Sequence, residues 1–284
     1  MKQYRSIFRE DLFSGQTILI TGGGTGIGRA IAHELASLGA HVIIAARKRE
    51  RLEQTAAEIE AAGGKCAHYT VNIRSEEAIN AMFDELLSEH ETIHGLVNNA
   101  GGQFPSPAEN INQKGWHAVT ETNLTGTFLM SKTAYNRGLK STRGSIVNIV
   151  AEMWNGFPGM AHTGAARAGV VNLTKSLAIE WAKDGVRINA VAPGVIHGHG
   201  ITQYDAAFVE GFLKEAKKDI PARRLGTESE IAAAVTFLLS PAAAYITGET
   251  IKVDGGSSLW RKTWHIPEHD NFDSYDGFIE QPVD

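Results

Sequence analysis

The segment Thr21-Gly22-Gly23-Gly24-Thr25-Gly26-Ile27-Gly28 holds five glycines in eight positions, between an apolar run and a helical pattern. Upstream, Thr17–Thr21 (TILIT) has the short, continuous apolar character of a strand buried on both faces. Downstream, Gly26–Leu38 sets Ile27, Ile31, Leu35 and Leu38 on one helical face, and Gly39 supplies a stop. A buried strand can pass into a helix this abruptly only where the backbone is free to adopt positive φ, which glycine allows at no steric cost.

The remaining chain repeats the unit. Patterning predicts strands at His41–Ala46, Lys65–Val71, Ile93–Asn98, Ser145–Val150, Val186–Ala192 and Thr250–Val253. Between them it predicts helices at Arg49–Ala62, Ser75–His90 with Ser75 as N-cap, about Gly115–Leu139, about Thr163–Ala182, Tyr204–Lys218 and Glu228–Leu239. Strands alternating with helices give a parallel sheet covered on both faces. The expected class is α/β: a single-domain Rossmann fold, a doubly wound parallel sheet of about seven strands. No linker or change of composition divides residues 1–257, and a Gly-rich stretch at about 194–225 reads as a substrate loop. Residues 258–284 differ, with Trp260, Trp264, Phe272, Tyr275 and Phe278 set among charges. They read as a tail that packs on the body or on a neighbouring subunit.

Composition narrows the function classes. With 27 basic and 32 acidic residues the net charge is -5, which argues against a nucleic-acid binder. The single cysteine, Cys66, excludes an intrachain disulfide. No apolar run approaches the roughly 18 residues of a membrane span, and the first residues lack the apolar core of a secretory signal. The expectation is a soluble cytoplasmic protein without nucleic-acid or membrane partners. His197-Gly198-His199 has no Cys or acid at metal spacing, so no metal is expected.

The turn after the first strand has the chemistry of a dinucleotide cradle. Thr21, Gly22, Gly24, Thr25, Gly26, Ile27 and Gly28 would bring backbone close to a pyrophosphate at the helix N-terminus, where free N–H groups and the dipole favour an anion. The spacing is Gly-x3-Gly-x-Gly rather than the commoner G-x-G-x-x-G. At the end of the second strand, NAD sites tend to place an acid against the ribose hydroxyls. Here the run is Ala45-Ala46-Arg47-Lys48-Arg49. Arg47, with Lys48, suits a 2′-phosphate through a bidentate fork, so the expected cofactor is NADP(H).

These motifs, with Asn98-Asn99-Ala100-Gly101, Pro193-Gly194, Ile246-Thr247-Gly248 and Val253-Asp254-Gly255-Gly256, resemble the short-chain dehydrogenase/reductases over residues 12–257. The resemblance implies nicotinamide hydride transfer and, as a rule, a homotetramer. It implies Asn72 and Ile73 beside the adenine, and a cofactor floor at Asn99, Ala100 and Gly101. It also implies nicotinamide contacts from Pro193, Gly194 and Ile196, and a relay water on Asn123. Two long helices (Gly115–Leu139 and Thr163–Ala182) would form one subunit interface and the chain beyond Pro241 another.

The chain departs from the family where the chemistry is done. The family's Ser follows the fifth strand, where this chain has Val150-Ala151; its Tyr-x3-Lys aligns on Thr163-Gly164-Ala165-Ala166-Arg167. Of the usual set only Asn123 remains. The stretch from His162 to Val170 resembles peroxisomal trans-2-enoyl-CoA reductase, as does the tail's Pro267-Glu268-His269-Asp270-Asn271. The 2,4-dienoyl-CoA reductases likewise lack the Tyr, and bacterial citronellol or citronellal dehydrogenases look similar here.

Carbonyl reduction needs a proton as the alkoxide forms, which Tyr with Lys supplies. Enoyl-thioester reduction instead builds negative charge on the thioester oxygen and needs donors aimed there. The candidate catalytic residues are therefore Asn123, His162, Thr163 and Arg167. Arg167 would steady an oxyanion, Thr163 would donate without ionising, and His162 would donate or relay a proton. Each has a plainer alternative: a kinked helix at Asn123, a solvated helix start at His162, an N-cap at Thr163. Glu152 and Trp154 would border the substrate pocket, with Glu152 a weaker candidate acid. Tyr204 would close over substrate or lie on the surface. Arg223-Arg224 would meet a CoA phosphate or form a solvated pair. The leading reading is NADPH-dependent reduction of 2-enoyl-CoA. The alternatives are an NADP-dependent alcohol or carbonyl dehydrogenase and a catalytically silent NADP-binding protein.

Overall fold

Two apolar clusters, one on each face of a sheet, organise the chain. In a computed structural model that describes residues 3–200, 206–259 and 264–279, the elements run as follows. They are β1 (Gln3–Tyr4), β2 (Thr17–Thr21), α1 (Gly26–Ser37), β3 (His41–Ala46), α2 (Arg49–Ala61), β4 (Lys65–Thr70), α3 (Glu76–Glu89), β5 (Gly95–Asn98), α4 (Gln113–Thr120), α5 (Gly126–Ala134) and α6 (Lys140–Thr142). Then come β6 (Ser145–Ile149), α7 (Ala161–Trp181), β7 (Arg187–Pro193), β8 (Ile196–His197), α8 (Ala206–Asp219), β9 (Gly226–Thr227), α9 (Glu228–Leu239), β10 (Thr250–Val253) and β11 (Phe278–Ile279). Tyr204 and Trp260 lie outside the described residues.

Seven strands pair in parallel in the order β4-β3-β2-β5-β6-β7-β10. The strand order reverses at β2 and β5, so the crevice at their C-terminal ends is the switch point where such sheets bind ligands. Alternation explains the two clusters. Ile18 and Ile20 of β2 pack with Ile31, Leu35 and α9, whereas Leu19 packs with Ile43, Phe83, Leu96 and Met130 on the other face. Each fully buried Leu or Ile contributes about 1.5–3 kcal/mol. Among the described residues, no helix is long and apolar enough to cross a membrane.

Local signals set the ends of several helices. Ser75 Oγ accepts from Ala78 N at 3.1 Å, with Glu76 and Glu77 in the first turn of α3. Thr227 and Glu230 form a reciprocal capping box on α9. The long helix expected at 115–139 runs from Gln113 to Thr142 and passes through two π turns, Glu121–Thr125 and Tyr135–Leu139. Helix α7 starts at Ala161 with Met160 as N-cap, so Thr163 lies inside the first turn and is not an N-cap.

The tail returns to the body of its own chain. β11 pairs antiparallel with β1 at the N-terminus. Arg223 donates to the carbonyls of Ile266 and Pro267. Arg224 donates to those of Phe272 (3.0 Å) and Asp273 (2.8 Å) and pairs with Glu230 at 2.5 Å. The two arginines, weighed from sequence as a CoA contact or a solvated pair, hold the tail instead.

Candidate active site

The β2–α1 turn is fixed by backbone. Gly22 has φ +70° and Gly26 φ +59°. A Cβ on Gly22 would stand 2.8 Å from Asn99 Nδ2, and one on Gly28 would overlap both Gly22 O and Asn99 Nδ2. Thr21 Oγ1 accepts from Asn99 N and Ala100 N, each at 3.0 Å, and Asn99 Nδ2 donates to Thr21 O at 3.0 Å. These bonds tie the ends of β2 and β5 together, so Thr21, Gly22 and Gly28 meet Asn99 and Ala100 at the switch point, while Gly24 lies against Arg51 and Gly26 against Glu228 and His199. Main chain packed this closely, at the N-terminal end of α1, is the kind of turn that fits a dinucleotide pyrophosphate.

The flanking candidates lie at the ends of other strands and in the loops that follow them. Arg47 and Lys48, at the end of β3, are exposed, and no ion pair among the described residues engages either. Asn72 Oδ1 accepts from Arg74 N at 3.3 Å in a tight turn, and Ile73 is buried against Gly126. Pro193 ends β7, Gly194 N donates to Val253 O at 3.0 Å, and Ile196 lies in β8.

The opposite wall is made of side chains. Asn123 lies fully buried in the first π turn. Its Nδ2 donates to Gly102 O at 2.7 Å and to Val119 O at 2.9 Å, while its Oδ1 accepts from Gly102 N at 3.2 Å. Asn123 thus pins the loop after β5 from within the π turn. A Cβ on Gly101 would stand 2.5 Å from Arg167 Nη2 and 2.6 Å from Asn123 Oδ1, so those two groups meet over Gly101.

Arg167 is buried and donates from Nη1 to Ile149 O at 2.7 Å. Its Nε has no partner, and no carboxylate pairs with it among the described residues. Burial pushes its pKa down to about 10, still far above neutrality, so the group stays cationic. His162 is also fully buried, not solvated. Its Nδ1 accepts from Thr163 N at 2.9 Å, which assigns the proton of the neutral ring to Nε2. Nε2 is buried without a partner, and the ring meets Phe104 edge-on at 4.5 Å. Thr163 Oγ1 lies 3.5 Å from His162 Nδ1.

Glu152 stands at the rim. Burial first, then Asp254, holds its carboxyl above the usual range against the opposing pull of Lys252. Lys252 Nζ lies 4.3 Å from the centre of the Trp154 ring. An apolar groove of about 490 Å³ beside α7 is lined by Met153, Phe157, Pro158 and Ala165, among others. Phe104 and the Ile149 carbonyl were missed from sequence; both belong to loops and strand ends whose partners are distant in the chain.

Residues 22–258 match a family described as Enoyl-(Acyl carrier protein) reductase. The chain is 39% identical over 264 residues to the peroxisomal 2,4-dienoyl-CoA reductase, (3E)-enoyl-CoA-producing, of Danio rerio, covering 91% of this chain and 87% of that one. The chain belongs to the short-chain dehydrogenase/reductases. It is thus an oxidoreductase of a family that uses a nicotinamide dinucleotide. Among solved short-chain dehydrogenase/reductases, it resembles a citronellol catabolism dehydrogenase, AtuB, of Pseudomonas aeruginosa PAO1. The two share 50% identity at TM-score 0.81, over 90% of this chain and 100% of that one. It also resembles an actinorhodin polyketide ketoreductase solved with NADPH, at 31% identity and TM-score 0.81, covering 86% of this chain and 98% of that one.

Proposed function

We propose that the chain is an NADPH-dependent reductase of the double bond of 2-enoyl-CoA thioesters. One observation carries the reading: a buried, uncompensated Arg167 guanidinium stands where the family places its lysine. A buried cation without a counter-charge is costly unless an anion or a developing negative charge arrives to meet it.

Arg47 and Lys48 would hold the 2′-phosphate; Thr21 to Gly28 would hold the pyrophosphate, and Asn72 and Ile73 would border the adenine. Asn99, Ala100, Gly101, Pro193, Gly194 and Ile196 would line the floor. When bound, the reduced dinucleotide supplies a hydride. Arg167 then offers N–H donors to the charge that develops on the thioester oxygen. Thr163 adds a neutral donor. His162, whose Nε2 is buried without a partner, would relay to the α-carbon a proton taken up from water, passing through its imidazolium form. Asn123 keeps the loop bearing Gly101 against Arg167.

The likeness to a citronellol dehydrogenase supports a second reading, an NADP-dependent alcohol or carbonyl dehydrogenase in which His162 or Glu152 replaces the tyrosine. Following NADPH absorbance with trans-2-decenoyl-CoA, acetoacetyl-CoA and citronellal separates them. Turnover of the enoyl-CoA alone is expected. Turnover confined to the ketone or aldehyde supports the second reading, and binding without turnover indicates a silent protein. For assembly and place we propose a cytoplasmic homotetramer. Large apolar side chains are exposed on the expected interfaces: Trp116, Phe128, Ile179 and Tyr245. Sedimentation at the mass of one chain would reject that assembly.

A further inference from the structure

The strand pair β8–β9 carries a strap across the glycine turn. Beyond β8, Gly198 and His199 lie against Glu228, the first residue of α9. Glu228 Oε1 accepts from His199 N at 3.0 Å, and a Cβ on Gly198 would overlap the carboxylate. A Cβ on Gly26 would stand 3.5 Å from the same oxygen. Gly26 is the first residue of α1, whose first turn has no acid of its own. The Glu228 carboxylate therefore sits between the N-terminal ends of two helices, where free N–H groups and both dipoles favour an anion.

Resting on the dinucleotide reading above, the end of α1 is also where the pyrophosphate would bind. We propose that Glu228 competes with the cofactor's pyrophosphate for the N-terminal end of α1, and so sets how tightly this chain holds its cofactor. Nearby groups offset the carboxylate's charge only in part: Arg29 and His199 favour it, but burial and Asp276 outweigh them. Arg29, on α1, is committed to Glu58 at 2.7 Å. On the strap, His199 Nε2 lies 3.1 Å from Arg51 Nη1. Asp276, on the tail, adds negative charge. Burial raises the Glu228 carboxyl above its ordinary value, so it gains its charge closer to neutrality than a solvated glutamate does.

Glu228→Gln keeps an acceptor for His199 N and removes the charge. Titrating NADPH fluorescence against the full chain and this variant at pH 6 and pH 8 tests the idea without turnover. The variant should bind about fivefold tighter at pH 8, the upper range for one partly buried charge. The gap should narrow at pH 6, where the wild-type carboxyl is more protonated. Glu228→Ala, which removes the charge without preserving the acceptor, should show a gap of the same sign. Equal or weaker binding by both variants at pH 8 overturns the competition. Failure of the wild type to bind either NADPH or NADH overturns the dinucleotide reading itself, a different result.

Discussion

On the β2–α1 side of the cleft the site is made of main chain. Gly22 and Gly28 leave no room for a Cβ, and the polar contacts of Thr21 and Asn99 go to backbone atoms. On the α7 side it is made of side chains: Arg167, His162 and Asn123, buried and partly unpartnered. Backbone geometry of this kind admits almost no substitution. A side-chain wall can exchange Tyr and Lys for Thr and Arg while α7, β6 and the sheet stay as they are. The family resemblance is consequently strong along the glycine turn, where main chain sets the geometry, and broken on α7, where side chains do.

If the two walls are separable, a lesion in one should spare the other. The largest effect is expected for Arg167→Met. Loss of one preorganised donor to an oxyanion costs about 100-fold in turnover, and at least tenfold is expected with trans-2-decenoyl-CoA. NADPH affinity should change little. Turnover near wild type in a folded variant would remove Arg167 from the chemistry; lost NADPH binding would show that the walls are not separate.

Gly28→Ala attacks the other wall. Its methyl would overlap Gly22 O and Asn99 Nδ2, so the turn must shift. Overpacking of this kind costs about 1–3 kcal/mol, or roughly tenfold or more. That cost should appear in the dissociation constant for NADPH. An unchanged constant with reduced turnover would reverse the assignment of the walls. A smaller effect is expected for Arg47→Ala with Lys48→Ala. Losing charge-assisted contacts to a 2′-phosphate should weaken NADPH by about tenfold and leave NADH untouched. Equal losses for both cofactors would count against phosphate recognition there.

The same division governs what the sequence made legible. The seven strands follow from apolar runs, which are local signals, whereas their order is set by pairings distant in the chain. The glycine turn was visible because its geometry demands one residue type. On the α7 wall His162, Thr163 and Arg167 were legible as replacements for Tyr and Lys, but the burial of His162 was not, since its ring meets Phe104, 58 positions earlier. Thr163 looked like an N-cap because Ala161 and His162 carry no helix-start signal. The π turn at Asn123 and the hold of Arg223 and Arg224 on tail carbonyls have no local pattern at all. Those carbonyls belong to residues more than 40 positions away.

The smallest effect is expected where neither wall is touched. Arg224→Ala frees Glu230 and leaves the carbonyls of Phe272 and Asp273 without this donor. The pair is partly exposed, with side-chain accessibilities of 28% and 17%, so the ion pair itself is discounted for screening. About 1 kcal/mol from the lost hydrogen bonds would lower the melting temperature by roughly 2–4 °C in a chain of this size. Glu230 keeps its bond to Thr227 N, so α9 retains its cap and the floor of the cleft should hold. Turnover should then stay within about twofold, as for other single surface hydrogen bonds away from reacting groups. A fall in turnover approaching that of Arg167→Met, with the melting temperature unchanged, would mean that the tail shapes the reactive wall through β9 and the strap. The cleft would then have three walls rather than two.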